Sequence, residues 1–148
     1  MFINRAMKSR TAEASLRVSH PDTAEATQSS PQGDFPAVPA TSRMIELMKI
    51  AAARLMKPRL QDGETSVAIA TNVTYAAHGL RQPNRGSTMR AVAAYKGISG
   101  RLHRFTINAF DESGLIGAAE HTRAVVVERQ LTGVSRQRAG KPDMLLEV

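Results

Sequence analysis

Residues 41–58 read Thr-Ser-Arg-Met-Ile-Glu-Leu-Met-Lys-Ile-Ala-Ala-Ala-Arg-Leu-Met-Lys-Pro, and the spacing inside this stretch decides how the rest of the chain can fold. Met44, Leu47, Met48, Ala51, Ala52 and Leu55 recur at helical intervals and make one broad apolar face. Ile45 and Met56 widen it, while Glu46, Ala53 and Lys57 lie opposite. Lys49 falls at the edge of the stripe. Thr41 or Ser42 can accept a hydrogen bond from the first free amides, and Pro58 stops the helix. The expected helix therefore runs from Arg43 to Lys57.

Downstream the period changes to two. From Ser66 to Tyr75, Val67, Ile69, Thr71, Val73 and Tyr75 alternate with Ala68, Ala70, Asn72 and Thr74, which predicts a strand with one face of small residues. A polar loop with Gly79, Pro83 and Gly86 follows. Thr88–Lys96 reads as a second strand, Gly97–Gly100 as a turn, and Leu102–Phe110 as a third strand. Asp111-Glu-Ser-Gly114 is a hairpin turn, and Leu115–Leu131 a long fourth strand in which Gly117 marks a bulge or a close backbone approach. One helix of about four turns cannot cover both faces of a four-stranded sheet. The expectation is an α+β fold with the sheet curled around the helix and a homodimer burying what remains.

Upstream, residues 1–34 are rich in Ser, Thr, Ala, Pro and Gln without sustained period, and are expected to be a flexible leader. Arg5, Lys8, Arg10 and Arg17 resemble a transit peptide only faintly, and no secretory pattern is present. Residues 132–148 are expected to be a basic, turn-rich tail. The domain proper then spans 35–131.

Composition narrows the chemistry. The chain has 148 residues, no cysteine, six aromatic residues and a formal charge of +7. Disulfides, thiolate nucleophiles and Cys-based zinc sites are excluded. No apolar run approaches the roughly 20 residues that span a bilayer, so the expected location is the cytoplasm. The first 40 residues carry four basic and four acidic side chains, so the excess charge belongs to residues 41–148. A basic fold attracts polyanions, either nucleic acid or a phosphate-bearing group such as coenzyme A. The scarcity of aromatics argues against base-stacking modules. The four histidines lie far apart without paired carboxylates, so no metal site is expected, and no Gly-rich phosphate loop is present.

Four runs resemble the hot-dog-fold thioesterases, in the fluoroacetyl-CoA thioesterase branch. They are Phe35-Pro-Ala-Val-Pro-Ala-Thr41 with the Met-rich helix behind it; Arg54-Leu-Met-Lys-Pro58 with Leu60, Gly63 and the strand to Tyr75; Gly100-Arg-Leu102 with Phe105, Ile107, Ala109 and Asp111; and Ile116-Gly117 with His121-Thr-Arg-Ala-Val-Val126. The resemblance implies a long helix wrapped by an antiparallel sheet, and a dimer with acyl-CoA sites at the subunit interface; pairing of dimers into a tetramer stays open. No cofactor is implied beyond the coenzyme A of the substrate.

The family's catalytic set is a Thr before the helix, a Glu within it and a His ending the next strand. Here Thr41, Lys49 and Tyr75 stand at those positions. An ammonium neither attacks a thioester nor activates water, and a phenol is a poor base near neutral pH. Three outcomes stay open: His78, in the loop beyond Tyr75, takes over as base; the site binds acyl-CoA without hydrolysing it; or Lys49 holds an anionic substrate group. The expected catalytic residues are Thr41, Lys49, Tyr75 and His78. The expected substrate-binding residues are Phe35, Met44, Met48, His121 and Arg123, although mid-strand His121 also reads as a hydrogen-bonded structural histidine. His103 shows no chemical partner in the sequence.

Overall fold

The computed structural model describes residues 8–19, 41–76 and 86–131. Among the described residues, five strands and one long helix follow in the order β1 (Thr11–Arg17), α1 (Thr41–Met56), β2 (Glu64–Tyr75), β3 (Thr88–Ser99), β4 (Leu102–Asp111) and β5 (Gly114–Val127), with a short 3-10 turn at Lys57–Arg59 and helical backbone at 128–131 after β5. The strands form one antiparallel sheet in the order β1-β3-β4-β5-β2. The sheet curls around α1. The α+β class and the wrapped helix expected from the sequence are what the structure has.

The helical stripe becomes the core. Met48, Ala51, Ala52, Leu55 and Met56 are fully enclosed, and Met44 and Leu47 nearly so. They pack on Met89, Ala91 and Ala93 of β3, Phe105, Ile107 and Ala109 of β4, and Ile116 and Ala119 of β5. The helix ends one residue earlier than expected. Pro58 lies in the 3-10 turn, where the Arg59 guanidinium donates to the Leu55 carbonyl and satisfies an otherwise open helix end.

Three expectations are corrected. The sheet has five strands, because residues 11–17 of the expected leader pair with β3 from Thr11↔Ala94 to Arg17↔Thr88. Ala14 and Val18 enter the core, with Ala12 and Leu16 packed against it. Arg54 donates to the Glu13 carbonyl and Arg59 to the Ser9 carbonyl, so the helix holds the strand by its backbone. Second, β3 continues through Ser99. A register shift between Tyr95 and Gly97 absorbs the glycine within the strand instead of ending it. Third, β5 ends at Val127 and residues 128–131 are helical, where the strand was expected to reach Leu131, because β2 begins at Glu64 opposite Val127 and offers no partner beyond it. Residues 1–7 and 20–34 of the expected leader, the segment with Phe35, and the expected tail from Thr132 lie outside the described residues.

Irregularities in β2 and β5 shape the concave face. A shift between Ala68 and Ala70 leaves Ile69 as an extra residue. The phase of β2 inverts there, so Ser66 and not Val67 shares a face with Arg123. In β5, Ala109 pairs with Gly117 and Phe110 with Leu115, which makes Ile116 the bulged residue. Gly117 is also a close approach: a Cβ built there would lie 3.0 Å from both Sδ and Cε of Met44 and 3.4 Å from the Thr74 carbonyl oxygen. Gly117→Val is expected to cost about 1–3 kcal/mol by overpacking. Urea unfolding measures this, and an unchanged midpoint would show that Met44 moves aside freely.

Candidate functional site

The helix lies mainly over β1 and β3, touches β2 little and β5 least. The half of the concave face built by β5 and β2 is therefore covered by α1 only along one margin. Alternation on β5 sends His121 and Arg123 to this face, beside Phe105, which pairs directly with His121. On β2, Thr71 stands opposite His121, and the bulge at Ile69 brings Ser66 to Arg123.

These side chains form a connected polar group. Arg123 is only 7% exposed. Its Nε donates to Ser66 Oγ (2.9 Å), its Nη2 to the Ser66 carbonyl (3.0 Å) and its Nη1 to His121 Nε2 (3.3 Å). A guanidinium only donates, so His121 Nε2 is the acceptor and the ring proton sits on Nδ1. That proton is donated to Thr71 Oγ1 at 2.7 Å. The imidazole is thus neutral, and its pKa is lowered to about 4, first by burial, then by Arg123 and Lys49. A contact to the Ala70 backbone pulls weakly the other way. With both nitrogens engaged, His121 positions Arg123 and has no lone pair free to act as a general base.

Lys49 projects from α1 toward this group, near enough for its charge to act on His121, and is itself exposed. Tyr75 ends β2 opposite Gly117 and is 40% exposed. Since Gly117 meets Met44 on the first turn of α1, Tyr75 and the start of the helix at Thr41 belong to one end of the face, with Lys49 and the His121–Arg123 pair further along it. Met48 has no exposed surface and Met44 almost none; both are core residues in this structure and present little to a ligand. His78 and Phe35 lie outside the described residues.

The sequence reading missed Ser66 and Thr71 as members of this group: both are polar residues of β2 that face β5 across the bulge at Ile69. It also missed the partner of His103. Tyr95 Oη lies 2.8 Å from His103 Nδ1, and Arg59 stacks on the Tyr95 ring at 4.0 Å from its centroid. Burial, then the Arg59 charge, lowers the His103 pKa. Tyr95 in turn meets Phe105 edge-on, with centroids 5.4 Å apart, and Phe105 meets His121 at 5.9 Å. The aromatic row ties the far end of the face to the polar group. Among the described residues no cluster of His, Cys, Asp and Glu could hold a metal, and no helix is long and apolar enough to cross a membrane. A hollow of about 320 Å³ lined by Asn72, Thr74, Thr106, Asn108 and Glu120 lies on the opposite face of the sheet.

A family model described as fluoroacetyl-CoA-specific thioesterase matches residues 18–129. The chain belongs to this family. It is 33% identical over 105 residues to the fluoroacetyl-CoA thioesterase of Streptantibioticus cattleyicolor, covering 71% of this chain and 73% of that protein. A solved structure of the fluoroacetyl-CoA thioesterase FlK superposes with a TM-score of 0.77 at 29% identity, over 86% of this chain and 93% of the other. A thioesterase superfamily member from Thermus thermophilus, 21% identical, matches with a TM-score of 0.76 over 87% and 90% of the two chains, and supports the hot-dog fold alone. The fluoroacetyl-CoA thioesterase family thus accounts for the helix, the strand order and the curl together.

Proposed function

We propose that this member of the family is an acyl-CoA thioesterase whose site is the open half of the concave face, completed by a second copy of the chain. The observation that carries the reading is the position of the polar group: Arg123, His121 and Lys49 converge beside a face that the helix leaves uncovered, in a chain of this family. Relatives have been solved with acetyl-CoA and with fluoroacetate and CoA. In the reaction, a water oxygen bonds to the thioester carbonyl carbon, and the tetrahedral intermediate expels coenzyme A as the C–S bond breaks. The products are the free acid and the thiol, which takes up a proton. Thr41 and the first amides of α1 stabilise the oxyanion, and His78 serves as the base.

Edge chemistry supports the second copy. The β1 edge is short and carries Glu13 ion-paired to Arg90 at 3.2 Å. The β2 edge is 12 residues long, and nothing between Glu64 and Tyr75 is charged or proline. An uncharged edge of that length is a template for pairing, and pairing there would wall the open half of the face.

The reading is tested by free-thiol release over short, aromatic and long acyl-CoAs. Release by the wild type, with kcat lowered about 10²–10³-fold in Thr41→Ala, is the expected result. A second reading, a non-hydrolytic acyl-CoA binding module, is favoured by one observation: Lys49 and Tyr75 replace the family acid and base, and both His121 nitrogens are occupied. Measurable binding without thiol release from any ester would establish that reading instead.

A further inference from the structure

We propose that the acyl group accepted here carries its own carboxylate, held between the guanidinium of Arg123 and the ammonium of Lys49. The inference rests on the acyl-CoA reading above and narrows its substrate class. Its basis is an uncompensated pair of cations. Arg123 is nine-tenths buried, yet all three of its hydrogen bonds go to neutral acceptors: the Ser66 hydroxyl, the Ser66 carbonyl and His121 Nε2. A guanidinium has five N–H donors, so two remain uncommitted. Neither Arg123 nor Lys49 has an ion-pair partner among the described residues.

The acids near enough to matter are engaged elsewhere. Glu46, on the same helix, pairs with Arg43 at 2.8 Å. The Glu64 carboxylate accepts the Gln61 amide at 2.7 Å. Glu120 neighbours His121 in sequence, but strand alternation sends it to the other face, where it lines the hollow with Asn72. A buried charge without a counter-charge is costly, and a second positive charge acting on the same imidazole adds repulsion. His121 relieves none of this, because it is neutral and already accepts from Arg123.

A planar carboxylate matches what is left. It can bridge the free edge of the guanidinium and a lysine ammonium, with charge-assisted bonds to both. The anion would rest near Phe105 and the apolar inner face of β5, where such bonds are little screened. A phosphate of coenzyme A carries the same oxyanion chemistry, but Arg123 is only 7% exposed, which favours the narrower group at the end of an acyl chain.

The test uses non-hydrolysable thioethers of coenzyme A, S-alkyl against S-carboxyalkyl of matched length from two to five carbons, with affinities read by calorimetry on the full chain. The wild type is expected to bind at least one carboxyalkyl thioether roughly tenfold or more tightly than its alkyl counterpart. In Lys49→Glu, a change at an exposed helix position, that ratio is expected to fall to one or below. A wild-type ratio near one at every length overturns the proposal. So does a Lys49→Glu variant that loses affinity equally for both thioethers and for free coenzyme A, since the lysine would then serve a phosphate. Succinyl-CoA and butyryl-CoA turnover separates the two levels. Equal hydrolysis with no binding preference keeps the thioesterase and removes the carboxylate; a preference without hydrolysis keeps the carboxylate and removes the hydrolase.

Discussion

Phe105→Ala is expected to lose about 3–5 kcal/mol of stability, a large part of the roughly 5–15 kcal/mol that holds a domain of this size together. Phe105 has no exposed surface and stands at the middle of the aromatic row. The cost depends on whether its neighbours can close the cavity. Tyr95 is fixed at its hydroxyl by His103 and on its ring by Arg59. His121 is fixed at both nitrogens. Neither ring can swing inward without giving up a hydrogen bond, so the void stays open and the penalty falls at the upper end of the range. Urea unfolding followed by circular dichroism measures it. Phe105→Leu keeps most of the volume and is expected to remain folded at a cost below that of the alanine variant, so the prediction survives if Phe105→Ala proves insoluble. Equal midpoints for Phe105→Ala and the wild type would show that the row is not rigid.

The helix was legible because its signal is local. Six apolar positions at helical spacing, followed by Pro58, admit one element, and all six are in the core with Met56, while Ile45 at the margin is only half-buried. The strands after it were legible for the same reason. The first strand was not. Thr11, Glu13, Ser15 and Arg17 do alternate with Ala12, Ala14, Leu16 and Val18. However, two of the inward residues are alanines, and polar surroundings rich in Ser and Thr hid the period. Pairing supplies what propensity lacks: β1 stays in place because β3 offers it a partner, Arg54 grips its Glu13 carbonyl and Arg59 grips the Ser9 carbonyl just ahead of it.

The polar group was half legible. His121 and Arg123 came from a motif, and Lys49 from its place on the stripe edge. Ser66 did not, because its facing depends on the bulge at Ile69, and one extra residue in a strand exchanges its faces. The same physics hid the Tyr95–His103 bond, which lies across a bulge in β3. Period-two reasoning runs correctly along each strand segment and fails where segments join, and here two such joints lie beside the site.

Acid is expected to destabilise the protein through His121, and His121→Gln is expected to blunt that effect. The group facing the ring is positive or neutral on every side: Arg123 on β5, Lys49 on α1, Thr71 and the Ala70 backbone on β2, and the Phe105 ring on β4. Folding lowers the His121 pKa from 6.5 to about 4. Above pH 6.5 the ring is neutral in both states and the shift has no effect. Between 6.5 and 4 the unfolded chain takes up a proton that the folded chain refuses, so stability falls with pH, by at most about 3 kcal/mol. Below 4 both states are protonated and the loss levels off. A glutamine amide can accept from Arg123 and donate to Thr71 without titrating. Carboxylates and His103 contribute equally to both proteins. The quantity to measure is therefore the difference between wild type and His121→Gln in the loss of stability from pH 7.5 to pH 4.5, by urea unfolding at each pH. A smaller loss in the variant is the expected result. Identical losses would mean that the imidazole accepts its proton inside the fold, and that the hydrogen bond from Arg123 gives way to let it.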